Sequence, residues 1–158
     1  MVEAWLTAVE AGALSSGLRK SLWVYPIVNT LHLIGIALLL GSILVFDARL
    51  AGFWSRQPLA PLATVLLPAA RAGFVIAILT GALLFVSRPL DYAFDRMFQA
   101  KLALIVVALA NVVLIHASAA WRRAMRGEPA GARLRFGAAV SALLWVAVVF
   151  AGRFLGYR

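Results

Sequence analysis

Four long apolar runs constrain what this chain can fold into. None contains Asp, Glu, Lys or Arg, and they extend from Ser21 to Phe46, from Ala72 to Ser87, from Leu102 to Trp121 and from Phe136 to Gly152. A bilayer core of about 30 Å is crossed by about 20 helical residues. The chain is 64% hydrophobic and 13% charged, whereas soluble domains are about half apolar and a quarter charged. We therefore predict an all-α integral membrane protein in one domain, residues 1–158, a bundle of four transmembrane helices at about 23–47, 69–88, 98–120 and 135–155.

Two shorter segments flank these spans. Residues 2–18 mix a few large apolar side chains with small residues and two glutamates, which predicts a short interfacial helix and not a span. Leu59–Leu67 lies among three prolines. We interpret it as a second interfacial segment, with a proline-kinked extension of the second span as the alternative.

The charge pattern indicates an orientation. The formal charge is +9, but 13 of the 15 basic residues are arginines scattered at the ends of apolar runs. That distribution is typical of membrane topology and headgroup contact, not of nucleic-acid binding. Eight arginines fall in the 1–2 and 3–4 loops or beside them. The positive-inside rule then places those loops in the cytoplasm and both termini outside. The absence of cysteine excludes thiolate metal sites and c-type haem attachment.

His32 and Lys101 are ionisable groups inside or at the head of apolar runs, where such groups are costly and mark functional sites. His32 lies about 10 Å below Tyr25, and Lys101 about 5 Å below Phe98, at 1.5 Å per residue. Because a lysine side chain is long, the two groups are expected to meet in the outer half of the bundle. His116 lies roughly 27 Å below Phe98, so it is expected near the cytoplasmic surface.

The helical faces agree with these depths. On the first span, one arc holds Asn29, His32, Gly35, Leu39 and Ser42. On the third, Lys101 shares a side with three apolar residues and, at its margin, His116. The second span contributes small residues that allow close packing or leave room for a flat ligand, namely Ala77, Thr80 and Gly81, followed by Leu84.

Each group also has a purely structural interpretation. His32 could have no role beyond a hydrogen bond to a neighbouring helix, and Lys101 could extend toward the headgroups. Arg153, near the outer end of the fourth span, could pair with ligand carboxylates such as haem propionates or extend into the headgroups. Asp47 and Arg49 are expected to form a solvated pair at the inner end of the first span.

The segments Leu31–Gly35 and Phe98–Leu102 resemble the early span-one His and the span-three Lys of HemJ-type protoporphyrinogen oxidases. That resemblance implies haem b binding by His32 and Lys101. CopD-type copper-resistance membrane proteins have a similar helical organisation. The chain resembles more closely an uncharacterised bacterial family of small four-span proteins, in the segments Ser21–Pro26, Asp47–Leu50 and Gly152–Tyr157, together with His32 and Gly41–Ser42. That resemblance implies a bacterial inner membrane location and no particular activity.

The leading functional hypothesis is a haem b protein acting in electron transfer or a redox step with a hydrophobic partner, a quinone, a porphyrin or a redox protein. His32 and neutral Lys101 are the expected axial ligands, with His116 in reserve. One alternative is a copper or other metal transport protein, although no methionine lies centrally in a span. A second alternative is a structural subunit of a larger complex or a homo-oligomer. Whether the chain is an enzyme stays open, and no hydrolase motif is present.

Overall fold

The computed structural model describes residues 1–155, which form helices with no strand among them. Their bounds are α1 Val2–Ala11, α2 Ala13–Lys20, α3 Val24–Ala51, α4 Leu59–Ser87, α5 Pro89–Ala93, α6 Arg96–Ala117, α7 Ala119–Ala124 and α8 Ala132–Leu155. Four of these helices, α3, α4, α6 and α8, are long and apolar enough to cross a membrane. Large apolar side chains stay exposed along all four, among them Leu33, Val65, Leu114 and Leu143. The four-span all-α bundle is confirmed, and this apolar surface suits contact with lipid.

The spans form a bundle in which α3 packs on both α4 and α8, and α8 packs on α6. The four helices alternate in direction along the chain. We call the end that carries α5 the α5 end and the opposite end, which carries α7, the α7 end. α1 and α2 pack against α4 and α5 at the α5 end. There the hydroxyl of Ser15 and the guanidinium of Arg19 both donate to the carbonyl of Ser87, at 3.3 and 2.8 Å.

Two glycines let α3 and α4 touch backbone to backbone. A Cβ on Gly73 would lie 2.5 Å from the amide nitrogen of Leu39 and 2.7 Å from the carbonyl oxygen of Gly35. A Cβ on Gly35 would lie 2.8 Å from the amide nitrogen of Ala77. Membrane helices associate by such close packing because lipid offers no hydrophobic drive between them. This contact fixes how far α3 and α4 can rotate about each other, and so fixes which face of α4 meets His32.

Capping residues set the ends of the spans. The carboxylate of Asp95 accepts from the amides of Met97 and Phe98, at 2.7 and 3.0 Å, and so begins α6. Gly52 follows the last residue of α3 with φ of +119°, a left-handed conformation that glycine adopts without steric cost. The amides of Gly52 and Phe53 then donate to the carbonyls of Arg49 and Ala48, which closes the last turn.

The structure differs from the prediction in the two segments that flank the spans. Leu59–Leu67 is not a separate interfacial segment, because α4 runs unbroken from Leu59 through Pro68 to Ser87; the extension of the second span is what forms. Proline removes one helical hydrogen bond, a loss that membrane helices tolerate. Arg71 therefore lies within α4 and not beside a loop. The predicted interfacial helix 2–18 is also divided, because Gly12 is extended at ψ of 158° and separates α1 from α2.

Candidate functional site

His32 is held by a hydrogen bond to the neighbouring span. Its Nδ1 lies 3.0 Å from the hydroxyl oxygen of Thr80 on α4. That hydroxyl is buried and lies 2.6 Å from the carbonyl oxygen of Ile76, to which it donates its single proton. The hydroxyl oxygen is then left as an acceptor for the ring, so Nδ1 carries a proton. In the neutral ring Nε2 keeps its lone pair, which is the form in which histidine binds a metal.

Gly81 makes room for this ring. A Cβ at Gly81 would lie 3.1 Å from Cε1 of His32 and 3.6 Å from its Nδ1, closer than most real Cβ contacts. Thr80 and Gly81 thus form a fitted surface of α4 against the Nδ1 side of the imidazole.

Lys101 lies on a second glycine, on the other side of the bundle. A Cβ at Gly152 of α8 would lie 3.3 Å from Nζ of Lys101, 3.4 Å from Cε and 3.6 Å from Cδ. The side chain therefore runs along the backbone of α8, three residues before that helix ends at Leu155. Any larger residue at position 152 would have to displace the amine.

The two groups occupy the same end of the bundle, since His32 lies in the first half of α3 and Lys101 near the start of α6, and these two helices run in the same direction. His32 rests on α4 and Lys101 rests on α8, while their own helices, α3 and α6, have at most marginal backbone contact. The predicted arc of α3 is largely confirmed, since Gly35, Leu39 and Ser42 are buried and only Asn29 is exposed. On α6, Ala108, which has no exposed surface, lies on the same helical face as Lys101. The inward-facing arc of α3 was therefore predicted from the sequence, and the approach of His32 to Lys101 stays a prediction.

Aromatic rings lie beside the site at the α5 end. Phe85 of α4 and Phe98 of α6 are stacked with ring centroids 5.4 Å apart, and Tyr92 of α5 lies 5.8 Å from Phe98. Burial raises the pKa of Tyr92 above its usual range. Close α4–α6 packing is otherwise sparse, so these rings bridge two helices whose backbones stay apart.

His116 does not join this site. Its Nδ1 lies 2.7 Å from the carbonyl oxygen of Val112, and its ring centroid lies 4.1 Å from that of Trp121. It is in the last turn of α6, fifteen residues beyond Lys101, roughly 22 Å along a helix. Among residues 1–155 no group of three or more His, Asp or Glu side chains could hold a metal ion together. A two-histidine metal centre made within this part of one chain is therefore inconsistent with the geometry.

The remaining predicted charges have different outcomes. Arg153 is exposed in the last turn of α8, next to Gly152. The prediction of a solvated pair between Asp47 and Arg49 was wrong. Asp47 is 7% exposed and lies beside Ser141 on α8, whereas Arg49 donates to the carbonyls of Gln57 and Ser55 at 2.6 and 3.0 Å. α3 continues to Ala51, so Asp47 faces the neighbouring helix one turn before the helix ends. The end of the motif around Gly156–Tyr157 lies outside the described residues.

Sequence reasoning missed Gly152 as the support for Lys101 and Thr80 as the partner of His32. A glycine inside a helix costs about 1 kcal/mol relative to alanine. Gly152 therefore indicated that another group approaches α8 closely, but the sequence did not identify that group as Lys101. Comparison of the chain with protein-family models, with curated proteins and with solved structures gives no match.

Proposed function

We propose that the α5 end of the bundle binds haem b between α3 and α6, where His32 and neutral Lys101 would hold it. The protein would act in electron transfer or in a redox step with a hydrophobic partner, such as a quinone or a porphyrin. The observation that carries the proposal is the His32–Thr80 hydrogen bond, which leaves Nε2 as the ligating atom. Metal-binding histidines almost always donate their other ring N–H to such a partner, which fixes the tautomer and the ring orientation.

The surroundings of Lys101 support the same assignment. Its amine is laid against Gly152 of α8, and no acidic side chain within residues 1–155 forms an ion pair with it. The glycines at 81 and 152 let the side chains of His32 and Lys101 lie directly against the backbones of α4 and α8. The limited contact between α3 and α6 suits a flat group between them. These features fit a planar macrocycle better than a small ion, which would draw its ligands into one tight cluster.

Haem would supply the one-electron chemistry, and the residues of this chain would bind it and tune its potential. His32 would ligate it and would be oriented through Thr80. Arg153 would neutralise propionates at the membrane surface. The Phe85–Phe98 stack would limit access of water from the α5 end. The sparse packing between α4 and α6 offers a hydrophobic partner a lateral approach from the lipid.

Replacing Thr80 by valine tests the hydrogen bond to His32. Valine keeps the shape of the side chain and removes the acceptor, so the ring loses its fixed tautomer. Loss of such a partner typically costs 10–100-fold in metal-site affinity, and we expect a loss of about tenfold in haem titrations of the purified protein. Thr64→Val, on the same helix and with its hydroxyl bonded only locally to Pro61, is the control. Equal haem affinities in the two variants would contradict the assignment.

A comparison of the Lys101→Met and His116→Ala variants tests which residue is the second haem ligand. We expect the lysine variant to shift the absorption and electron paramagnetic resonance spectra of the haem, because a nitrogen ligand is replaced by a thioether. The histidine variant is expected to keep the wild-type spectra, since His116 lies at the α7 end. A spectral change confined to His116→Ala would exclude Lys101 as the ligand.

The copper-transport alternative has less support, because His32 and His116 lie at opposite ends with no acidic or histidine cluster between them among residues 1–155. Under the structural-subunit alternative, the same His32–Thr80 contact would only join α3 to α4. Thr80→Val would then lower the stability of the bundle, with no cofactor to lose.

A further inference from the structure

A second candidate site lies at the α7 end, away from His32. It is a pocket of about 380 Å³ between the end of α3, the loop 52–58, the start of α4 and the α7–α8 connection. Three arginines line it, Arg49, Arg56 and Arg135, with one acidic residue, Glu128. Glu128 already pairs with Arg123 at 3.7 Å, so the pocket carries a clear excess of positive charge.

Two of these guanidinium groups are held in place by the backbone. Arg49 donates through Nε and Nη2 to the carbonyls of Gln57 and Ser55. Arg135 donates through Nε to the carbonyl of Ala130 at 3.1 Å. Its guanidinium carbon would lie 3.6 Å from a Cβ on Gly52, so a residue without a side chain lets it lie against the loop. Within residues 1–155, Nη1 of Arg49, both Nη atoms of Arg135 and the whole guanidinium of Arg56 form no hydrogen bond or ion pair.

The pocket lies where membrane headgroups are expected. It adjoins the loop that follows the last turn of α3, and in that loop Phe53 and Trp54 are 67% and 62% exposed. Aromatic side chains of this kind concentrate at the membrane–water interface. α3 has 28 residues, roughly 42 Å at 1.5 Å per residue, so its end projects beyond a hydrocarbon core of about 30 Å. The free guanidinium donors are therefore expected at headgroup level.

We propose that this pocket binds a phosphate group, supplied by the headgroup of an anionic phospholipid. Guanidinium groups match phosphate oxygens in paired, charge-assisted hydrogen bonds. Basic pockets between membrane helices bind anionic headgroups for the same reason. The guanidinium groups of Arg49 and Arg135 are already held in position by the backbone. Arg56, on the loop, closes over the phosphate. The site is independent of the haem proposal, because it shares no residue with it.

The test measures binding of phosphatidylglycerol to the full chain in a neutral detergent, by native mass spectrometry across a lipid titration. We expect phosphatidylglycerol to bind at least about tenfold more tightly than phosphatidylcholine. We also expect Arg56→Gln and Arg135→Gln each to weaken phosphatidylglycerol binding by about tenfold, because a hydrogen bond to a charged group contributes enough free energy for such a loss. Arg126→Gln removes the same charge at the same end from outside the pocket, and it is expected to bind as the wild type does.

Equal losses in Arg126→Gln and Arg56→Gln would overturn the proposal, because general surface charge would then account for binding. Equal affinities for the two lipids would also overturn it. A parallel titration with inorganic phosphate distinguishes the source: competition at millimolar phosphate, with no preference for the anionic lipid, would overturn the lipid assignment. Circular dichroism of each variant checks that the helices are retained. Arg56 lies on an exposed loop, so its variant is expected to fold.

Discussion

Replacement of His32 by alanine is expected to lower haem affinity by more than about 100-fold, since loss of a second-shell partner alone costs 10–100-fold. The substitution removes a proposed ligand whose Nδ1 is already held by Thr80. Thr80 keeps its hydrogen bond to Ile76 in the variant, so no buried polar atom is left without a partner. The fold should therefore survive, with a loss of stability of about 1–3 kcal/mol.

The measurement is haem content per protein after purification, together with the unfolding transition in detergent. His116→Ala, at the other end of the bundle, is the control and is expected to retain haem. A His32→Ala protein with wild-type haem content would exclude His32 as a ligand. Loss of the folded protein in parallel with the haem would instead favour the structural alternative.

Replacement of Gly73 by leucine is expected to have the largest effect on stability. The added Cβ would meet backbone atoms of Leu39 and Gly35 at 2.5 and 2.7 Å, and backbone cannot move aside as a side chain can. Overpacking a core by side-chain contacts costs about 1–3 kcal/mol, so we expect more than about 3 kcal/mol here. Because this contact sets the face of α4 that meets His32, haem binding should also fall.

Gly41→Leu is the matched control, since it adds the same side chain to α3 at a position with no atom within 4 Å of the new Cβ. Unfolding of both variants in mixed detergent micelles gives the comparison. Equal stabilities would mean that α3 and α4 do not meet at Gly35 and Gly73, and the orientation of the His32–Thr80 pair would lose its basis.

Much of the fold was readable from the sequence because bilayer thickness converts hydropathy into helix position. The four uncharged runs predicted four spans, and helical rise placed His32 and Lys101 at one level. The second span was predicted to begin too late in the chain, because proline usually interrupts a helix. Pro68 instead lies inside α4. Hydropathy alone does not say whether the residues before such a proline continue the span.

The neighbours of the site residues were less readable. Which residue of α4 meets His32 depends on the rotation of two helices about their contact, and that rotation is set by the Gly35–Gly73 approach. The burial of Asp47 was missed for a similar reason: its neighbour Ser141 lies 94 residues away in the chain, and local charge pairing with Arg49 was the simpler expectation. Depth and face follow from a single helix, whereas partners follow from packing.

The most direct test of the central claim is one absorbance spectrum of the detergent-purified protein from haem-replete cells. Ligation by His32 and Lys101 predicts a red protein with a Soret band at close to one haem per chain. A colourless protein would contradict the claim, and the His32–Thr80 and Lys101–Gly152 contacts would then be understood as packing between helices.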